Sequence, residues 1–383
     1  EKFGLIAFAQ AFIQYLVILT DYGFNLSATR EISIYRDNKE KVSEIFSSVM
    51  IIKFGLLVLS FIIMSVIVFS FEKFKKDWLI YYLTFGIVIG QTLFPVWFFQ
   101  GMERMRYIVA IETSIKSIFL LLVFLFIHNT NDFWKVPLIN TIGMIIGGII
   151  SLLIVIKYFH IRYYLPKLKI SFQYLKTSTS LFLSQVSVSL FNQTNTFIGG
   201  LIFNYTLLGY YKAAEKLFIA FRNIFGIVFR TLYPFFSRKR GNFVSLYNWI
   251  TVAISILMSV LLFLSADSLV NLLYGEGFQL AINVLKIFSI AIFFSGINIM
   301  IFTLWFLSNG FYEVFFWITI FAGLFNVMSL FVLSKIIGIL GIPLSAVATE
   351  IVLLLSYFLL KRRLKVINGQ KKSEEKRFFL KRG

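Results

Sequence analysis

The chain has 383 residues, 58% of them hydrophobic and 19% aromatic, with only 14% charged. Soluble domains carry about a quarter charged residues, so this composition excludes a water-soluble enzyme or binding domain and describes a membrane protein. The net charge of +19 would suggest a nucleic-acid ligand in a soluble chain, and the placement of the basic residues argues against it.

Apolar stretches of roughly 20 residues, enough to cross a hydrocarbon core of about 30 Å, lie at 4 to 26, 46 to 70, 78 to 99, 107 to 127, 134 to 157, 178 to 203, 210 to 235, 248 to 270, 282 to 307, 313 to 334 and 338 to 360. Each is predicted to be a helix, because a helix satisfies its own backbone in lipid and none shows the alternation of a barrel strand. The fold class expected is therefore all-α integral membrane, with about eleven spans. Lys and Arg in alternate connections number about 24 on the side of 27 to 45, 100 to 106, 157 to 177, 236 to 247, 308 to 312 and the tail from 361, against about 6 on the other side. The positive-inside rule makes the rich side cytoplasmic, the C-terminus included. Basicity is thus topology, and nucleic acid is not an expected partner.

No cysteine is present, and the two histidines, His128 and His160, lie far apart near opposite membrane surfaces. A thiolate or histidine metal centre is not expected, nor is a cofactor. There is no phosphate-cradling GxxxxGK[ST], no HExxH and no GxSxG, so no enzymatic site is predicted.

Two pairs of segments echo one another. "GLIAFAQAF" from Gly4 matches "GYYKAAEKLF" from Gly209, and "FPVWFFQGMER" around Gly101 matches "FTLWFLSNGFYE" around Gly310, offset by 205 and 209 residues. This spacing indicates two six-helix bundles related by an internal pseudo-two-fold repeat. The first bundle shows only five spans, so a further helix is expected upstream of residue 1. The expected organisation is an N-terminal lobe at 1 to 157 (helices 2 to 6), a surface-lying cytoplasmic linker at 158 to 177, a C-terminal lobe at 178 to 360 (helices 7 to 12) and a basic cytoplasmic tail at 361 to 383. Arg104 and Arg106 fall in a cytoplasmic turn, and the aromatics before them are assigned to the membrane interface.

Ionisable residues inside spans must pair or face water. Lys212, Glu215, Lys216, Arg222 and Arg230 fall on one face of the span 210 to 235, at about 100° per residue. Lys212 and Arg230 are near enough to the ends to snorkel; Lys216 and Arg222 are not, and indicate a water-filled cationic lining. The corresponding span of the first repeat places Gln10, Gln14 and Asp21 on one face, and Gln185, Ser189, Asn192 and Thr196 form a ladder suited to sugar hydroxyls or, equally, to hydrogen bonds between helices. Lys53 is assigned to the cavity because a lone ammonium facing lipid is costly. Glu112 and Lys116, spaced i, i+4, form either an internal ion pair or part of a site. Such a lining suits an anionic substrate, and lipid-borne phosphate fits it best.

At "DYGFNLSATREIS" (21 to 33), "FPVWFFQGMERM" (94 to 105), "YYKAAEKLF" (210 to 218) and "LYPFFS" (232 to 237), the chain resembles the Wzx-type O-antigen and polysaccharide flippases of the multidrug, oligosaccharidyl-lipid and polysaccharide exporter superfamily. The resemblance implies translocation of an undecaprenyl-diphosphate-linked oligosaccharide between leaflets of the bacterial inner membrane, by alternating access driven by an ion gradient. It implies lipid-linked oligosaccharide, membrane lipids and other polysaccharide assembly proteins as partners. It carries over Arg30, Lys212, Lys216, Arg222 and Arg230 as cations for the diphosphate; the reading of the span faces adds Lys53 to them, gives Gln10, Gln14, Gln185, Ser189, Asn192 and Thr196 to the glycan, and leaves Asp21 or Glu215 for the coupling ion. The alternatives are a membrane polysaccharide polymerase or glycosyltransferase, and a drug exporter of the same superfamily.

Overall fold

A computed structural model describes residues 1–164, 166, 168–238, 243–301 and 312–380, and among these the regular structure is helical throughout. Eight stretches of the described residues are long and apolar enough to cross a membrane. The chain divides into two compact units, Glu1–Gly209 and Tyr210–Gly383.

The first unit contains α1 (Lys2–Asp21), α2 (Phe24–Tyr35), α3 (Lys39–Ser70), the one-turn α4 (Glu72–Lys75), α5 (Trp78–Leu93), the short α6 (Val96–Gly101), α7 (Met105–Phe126), α8 (Lys135–Lys157) and α9 (Leu168–Ile202). α10 (Tyr205–Arg238) begins in this unit and continues into the second, which adds α11 (Phe243–Tyr274), α12 (Gln279–Met300), α13 (Tyr312–Ile337) and α14 (Gly341–Leu380). The segment 158–164 runs without helix along α3, where the amides of Arg162 and Tyr164 each donate to a serine hydroxyl, Ser43 and Ser47, at 3.2 Å. α9 starts at Leu168, ten residues before the predicted span, because its amphiphilic first turns continue the helix beyond the apolar stretch.

The region 27 to 45, expected to be a connection, is mostly helical, α2 as far as Tyr35 and α3 from Lys39. Its break from α1 is local: Tyr22 and Gly23 both adopt left-handed backbone, at φ 47° and 78°. Tyr22 stacks on Phe182 of α9 with ring centroids 4.5 Å apart and planes 9° apart. A Cβ on Gly23 would come within 2.9 Å of the Phe182 amide nitrogen, so this turn needs glycine for both its φ and its closeness to α9. Phe24, Ala28 and Ile32, spaced i, i+4, i+8, bury one stripe of α2.

That stripe packs on the aromatics assigned to the membrane interface. Trp97, Phe98 and Phe99 are fully buried, in one apolar cluster with Phe24, Phe46 and Val49. Pro95 stops α5 and starts α6, and the change of direction turns the three rings inward rather than toward lipid headgroups. Gly101 closes the arrangement, since a Cβ there would press within 2.7 Å of Ile32. The second copy of this motif, at 302 to 311, lies outside the described residues.

Close helix contacts rest on small residues, as membrane packing requires. α5 crosses α8 through Gly86 against Thr141, Gly90 against Met144 and Gly148 against Leu93. The glycines that open the first pair of repeat motifs also touch: a Cβ on Gly4 would overlap the Tyr205 carbonyl and sit 2.8 Å from the Gly209 amide. Because both obstacles are backbone, Gly4→Leu is expected to cost about 3 kcal/mol, the upper end of overpacking penalties. Thermal unfolding of the purified protein measures this; an unchanged melting temperature would mean that α1 does not meet the start of α10.

In the second unit α11 packs on α12, α12 on α14 and α14 on α13, and Ala266, Val270, Leu285, Phe288 and Ile292 of α11 and α12 are buried. Phe218 of α10 stacks on Phe288 at 4.5 Å.

Candidate functional site: a carboxamide-lined cavity and a buried carboxylate

Where α1 ends at its break, the helices of the first unit stand apart around a cavity of about 760 Å³. Its apolar wall includes Val17, Phe94, Phe119 and Met144, and its polar groups come from every side: Gln14 and Asp21 of α1, Asn25 of α2, Lys53 of α3, Gln91 of α5, Glu112 and Lys116 of α7, Asn140 of α8 and Gln185 of α9. Asp21 is the last residue of α1, so the bend at Tyr22 and Gly23 is what aims its carboxylate across the cavity. There it meets the Lys53 ammonium at 3.5 Å; Lys53 is only 3% exposed. Burying a charge is tolerable only when it is paired, and Asp21 supplies the pair. Glu112 and Lys116, also 3.5 Å apart, form a second ion pair at the exposed edge. Two carboxylates and two ammoniums leave this cavity with no net charge.

The second unit holds a different cluster. Glu350 of α14, buried, accepts hydrogen bonds from Ser295 Oγ and Asn298 Nδ2 of α12, each at 2.6 Å, and lies 3.5 Å from the Arg222 guanidinium of α10. Asn298 Nδ2 also donates to the Glu350 carbonyl at 2.8 Å. Two to three turns away on α10, Lys212 pairs with Glu215, whose other oxygen accepts from the Tyr211 hydroxyl at 2.7 Å. A charge-assisted hydrogen bond is worth roughly twice a neutral one, so these groups fix three helices to one buried carboxylate. On the surface opposite the basic connections, Lys73 donates to the carbonyls of Leu201 and Phe203 at 3.0 and 3.2 Å, capping the end of α9, and burial pulls its ammonium pKa below the usual lysine value.

Residues 1–240 match the family described as polysaccharide biosynthesis protein. The chain belongs to that family. Within it, the chain is 27% identical over 367 residues to a protein of Escherichia coli (strain K12) named "Putative O-antigen transporter", spanning 91% of this chain and 86% of that one. A Shigella dysenteriae protein of the same name is 29% identical over 243 residues, 63% of this chain and 60% of that one. The fold is that of MATE transporters: a eukaryotic member aligns over 93% of this chain and 87% of its own with a TM-score of 0.56 and 13% identity, and a MATE in a bent conformation over 96% and 89% with a TM-score of 0.57 and 15% identity. The polysaccharide family reached from the four sequence motifs is the one that matches, and the chain shares its fold with MATE transporters.

The fold of this family member separates the residues singled out in its sequence. Gln14, Asp21, Lys53 and Gln185 share the first-unit cavity. Gln10 is half-buried on α1 and does not line it, Arg30 is exposed on α2, and Thr196 is fully buried on α9. Lys212, Glu215 and Arg222 belong to the second unit, two in a pair and one beside Glu350, and Lys216 is exposed on the same helix. The side chains of Ser189, Asn192 and Arg230 lie outside the described residues. Lys286 of α12 is paired with Asp267 of α11 at 2.7 Å.

Sequence reasoning missed Glu350, Asn298, Gln91 and Asn140. Three left a trace: Glu350 is the lone charged residue of the span 338 to 360, and Gln91 and Asn140 are single carboxamides in the spans 78 to 99 and 134 to 157. A tally of intramembrane cations alone passes over all four.

Proposed function

We propose that the chain is a flippase that carries a diphosphate-linked oligosaccharide, an O-antigen or capsular repeat unit on a polyprenyl lipid, from the inner to the outer leaflet of the bacterial inner membrane. The observation that carries this reading is the near full-length similarity to an O-antigen transporter of Escherichia coli, and the polar cavity enclosed by apolar helices supports it. A diphosphate with sugars attached cannot cross hydrocarbon unaided, because its hydration has no replacement there. The protein supplies one: hydroxyl and amide partners for the glycan, and cations for the phosphates, while the lipid tail stays in the bilayer. Lys212, Lys216 and Arg222 are the diphosphate ligands in this reading, and Lys212 and Arg222 must exchange the carboxylates of Glu215 and Glu350 for phosphate oxygens. A carboxylate released in that exchange is available to bind the driving cation, so Glu215 and Glu350, with Asp21 in the first unit, are the coupling groups. The chain moves its substrate without changing it chemically, and its C-terminus is cytoplasmic, as the distribution of Lys and Arg requires.

Complementation tests the reading: in a strain deprived of its own O-antigen transporter but supplied with this chain's native glycan-assembly enzymes, expression restores surface polysaccharide. Accumulation of the lipid-linked unit in the inner leaflet despite normal abundance of the protein in the membrane refutes it. Arg222→Ala in the same strain is expected to reduce surface polysaccharide at least tenfold, since it removes a phosphate ligand and strips Glu350 of its positive neighbour; export at the wild-type level would remove Arg222 from the site.

A further inference from the structure

The cavity of the first unit carries five carboxamides, Gln14, Asn25, Gln91, Asn140 and Gln185, each from a different helix. A carboxamide in a membrane bundle ordinarily bonds to a neighbouring helix, and Asn326 does so in the second unit, reaching the Thr349 hydroxyl at 3.1 Å. The five do otherwise. All are half-buried, and among the described residues none of their side-chain amides makes a hydrogen bond to the protein. Glue between helices is therefore not their role.

A carboxamide offers two donors and a carbonyl acceptor without charge. A sugar hydroxyl both donates and accepts, and an N-acetyl group presents an amide of its own, so each finds a complete partner in such a side chain. The charged groups of the cavity cancel, Asp21 against Lys53 and Glu112 against Lys116, which leaves a diphosphate no surplus of positive charge here. Phe94 and Phe119 add apolar wall against which the C–H face of a sugar ring can rest, the usual balance of a small-ligand site in which a few convergent polar groups set orientation.

We propose that this cavity is a glycan subsite for neutral hydroxylated or N-acetylated sugars, read chiefly by Gln91, Asn140 and Asn25 together with Gln14 and Gln185. The proposal rests on the flippase reading for the source of the glycan, which is the head of the lipid-linked unit rather than a free saccharide.

The test uses the full chain in detergent and, as probe, the oligosaccharide released by mild acid from the lipid-linked pool of the source cells. Titration calorimetry should show saturable binding to the wild type. The double variant Gln91→Met, Asn140→Leu, close in shape to the original, should weaken it about tenfold, given the worth of two hydrogen bonds, with an unchanged melting temperature. Met144→Trp, which fills the cavity while leaving every amide in place, should weaken it likewise. Absence of saturable binding to the wild type, or equal affinity in the variants, overturns the subsite. Lipid-linked transport by a wild type that does not bind the free glycan would leave the flippase reading standing and remove the subsite. Glycan binding without transport would do the reverse.

Discussion

Lys53→Met is expected to lower the stability of the first unit by about 3 kcal/mol and to abolish surface polysaccharide. Methionine keeps most of the volume and removes the charge. The carboxylate of Asp21, 13% exposed, then faces a largely buried site without its partner at 3.5 Å. Removing one member of a buried pair costs about 3–5 kcal/mol because the other charge stays behind, and the cavity's polar lining places Asp21 at the lower end of that range. Asp21→Asn in the same background should recover most of the loss, since it removes the stranded charge. A double-mutant cycle on thermal unfolding measures the coupling. Additive losses would show that the two residues do not interact and that Lys53 owes its burial to something else.

Glu350→Gln is expected to leave a folded protein whose export falls at least tenfold. The amide preserves the shape and one acceptor, so the bond from Ser295 at 2.6 Å survives in weaker form, and the cost of losing charge assistance is about 1.5–3 kcal/mol. What glutamine cannot do is exchange Arg222 for a cation and back again. Surface polysaccharide at matched membrane abundance reads the effect. Glu350→Leu, which removes the acceptor of Ser295 Oγ and leaves Asn298 Nδ2 only the backbone carbonyl, should lose stability as well as export. Wild-type export from the glutamine variant would relegate Glu350 to a structural tie between α12 and α14.

The membrane spans were legible in the sequence because their cause is local: some 20 apolar residues cannot be placed in water whatever else the chain does. The clustering of Lys212 with Glu215 was equally legible, since residues three apart share a helix face. The bend between α1 and α2 was harder, although Phe24, Ala28 and Ile32 carry the stripe of a packed helix beyond it. A window average blurs a two-residue turn inside an apolar run. Trp97, Phe98 and Phe99 misled because an aromatic next to charged residues reads the same whether it faces headgroups or a core; Pro95 decides the matter only once the direction of α6 is known. The cavity lay beyond sequence reach for a plainer reason. Its five carboxamides come from five helices, and each looks incidental in its own segment. The neighbour of Arg222 is likewise supplied by α14, which no helical wheel on α10 can reveal.

The central claim is that this chain moves a lipid-linked glycan between leaflets intact. Purified protein in liposomes, loaded with the polyprenyl-diphosphate oligosaccharide of the source cells and probed with a membrane-impermeant glycosidase, tests it most directly. The account predicts that nearly all of the glycan becomes accessible over time in protein-containing vesicles, only the outer-leaflet share in protein-free ones, and that its length is unchanged. A glycan that stays half-protected, or one that grows longer in the presence of the protein, would contradict it.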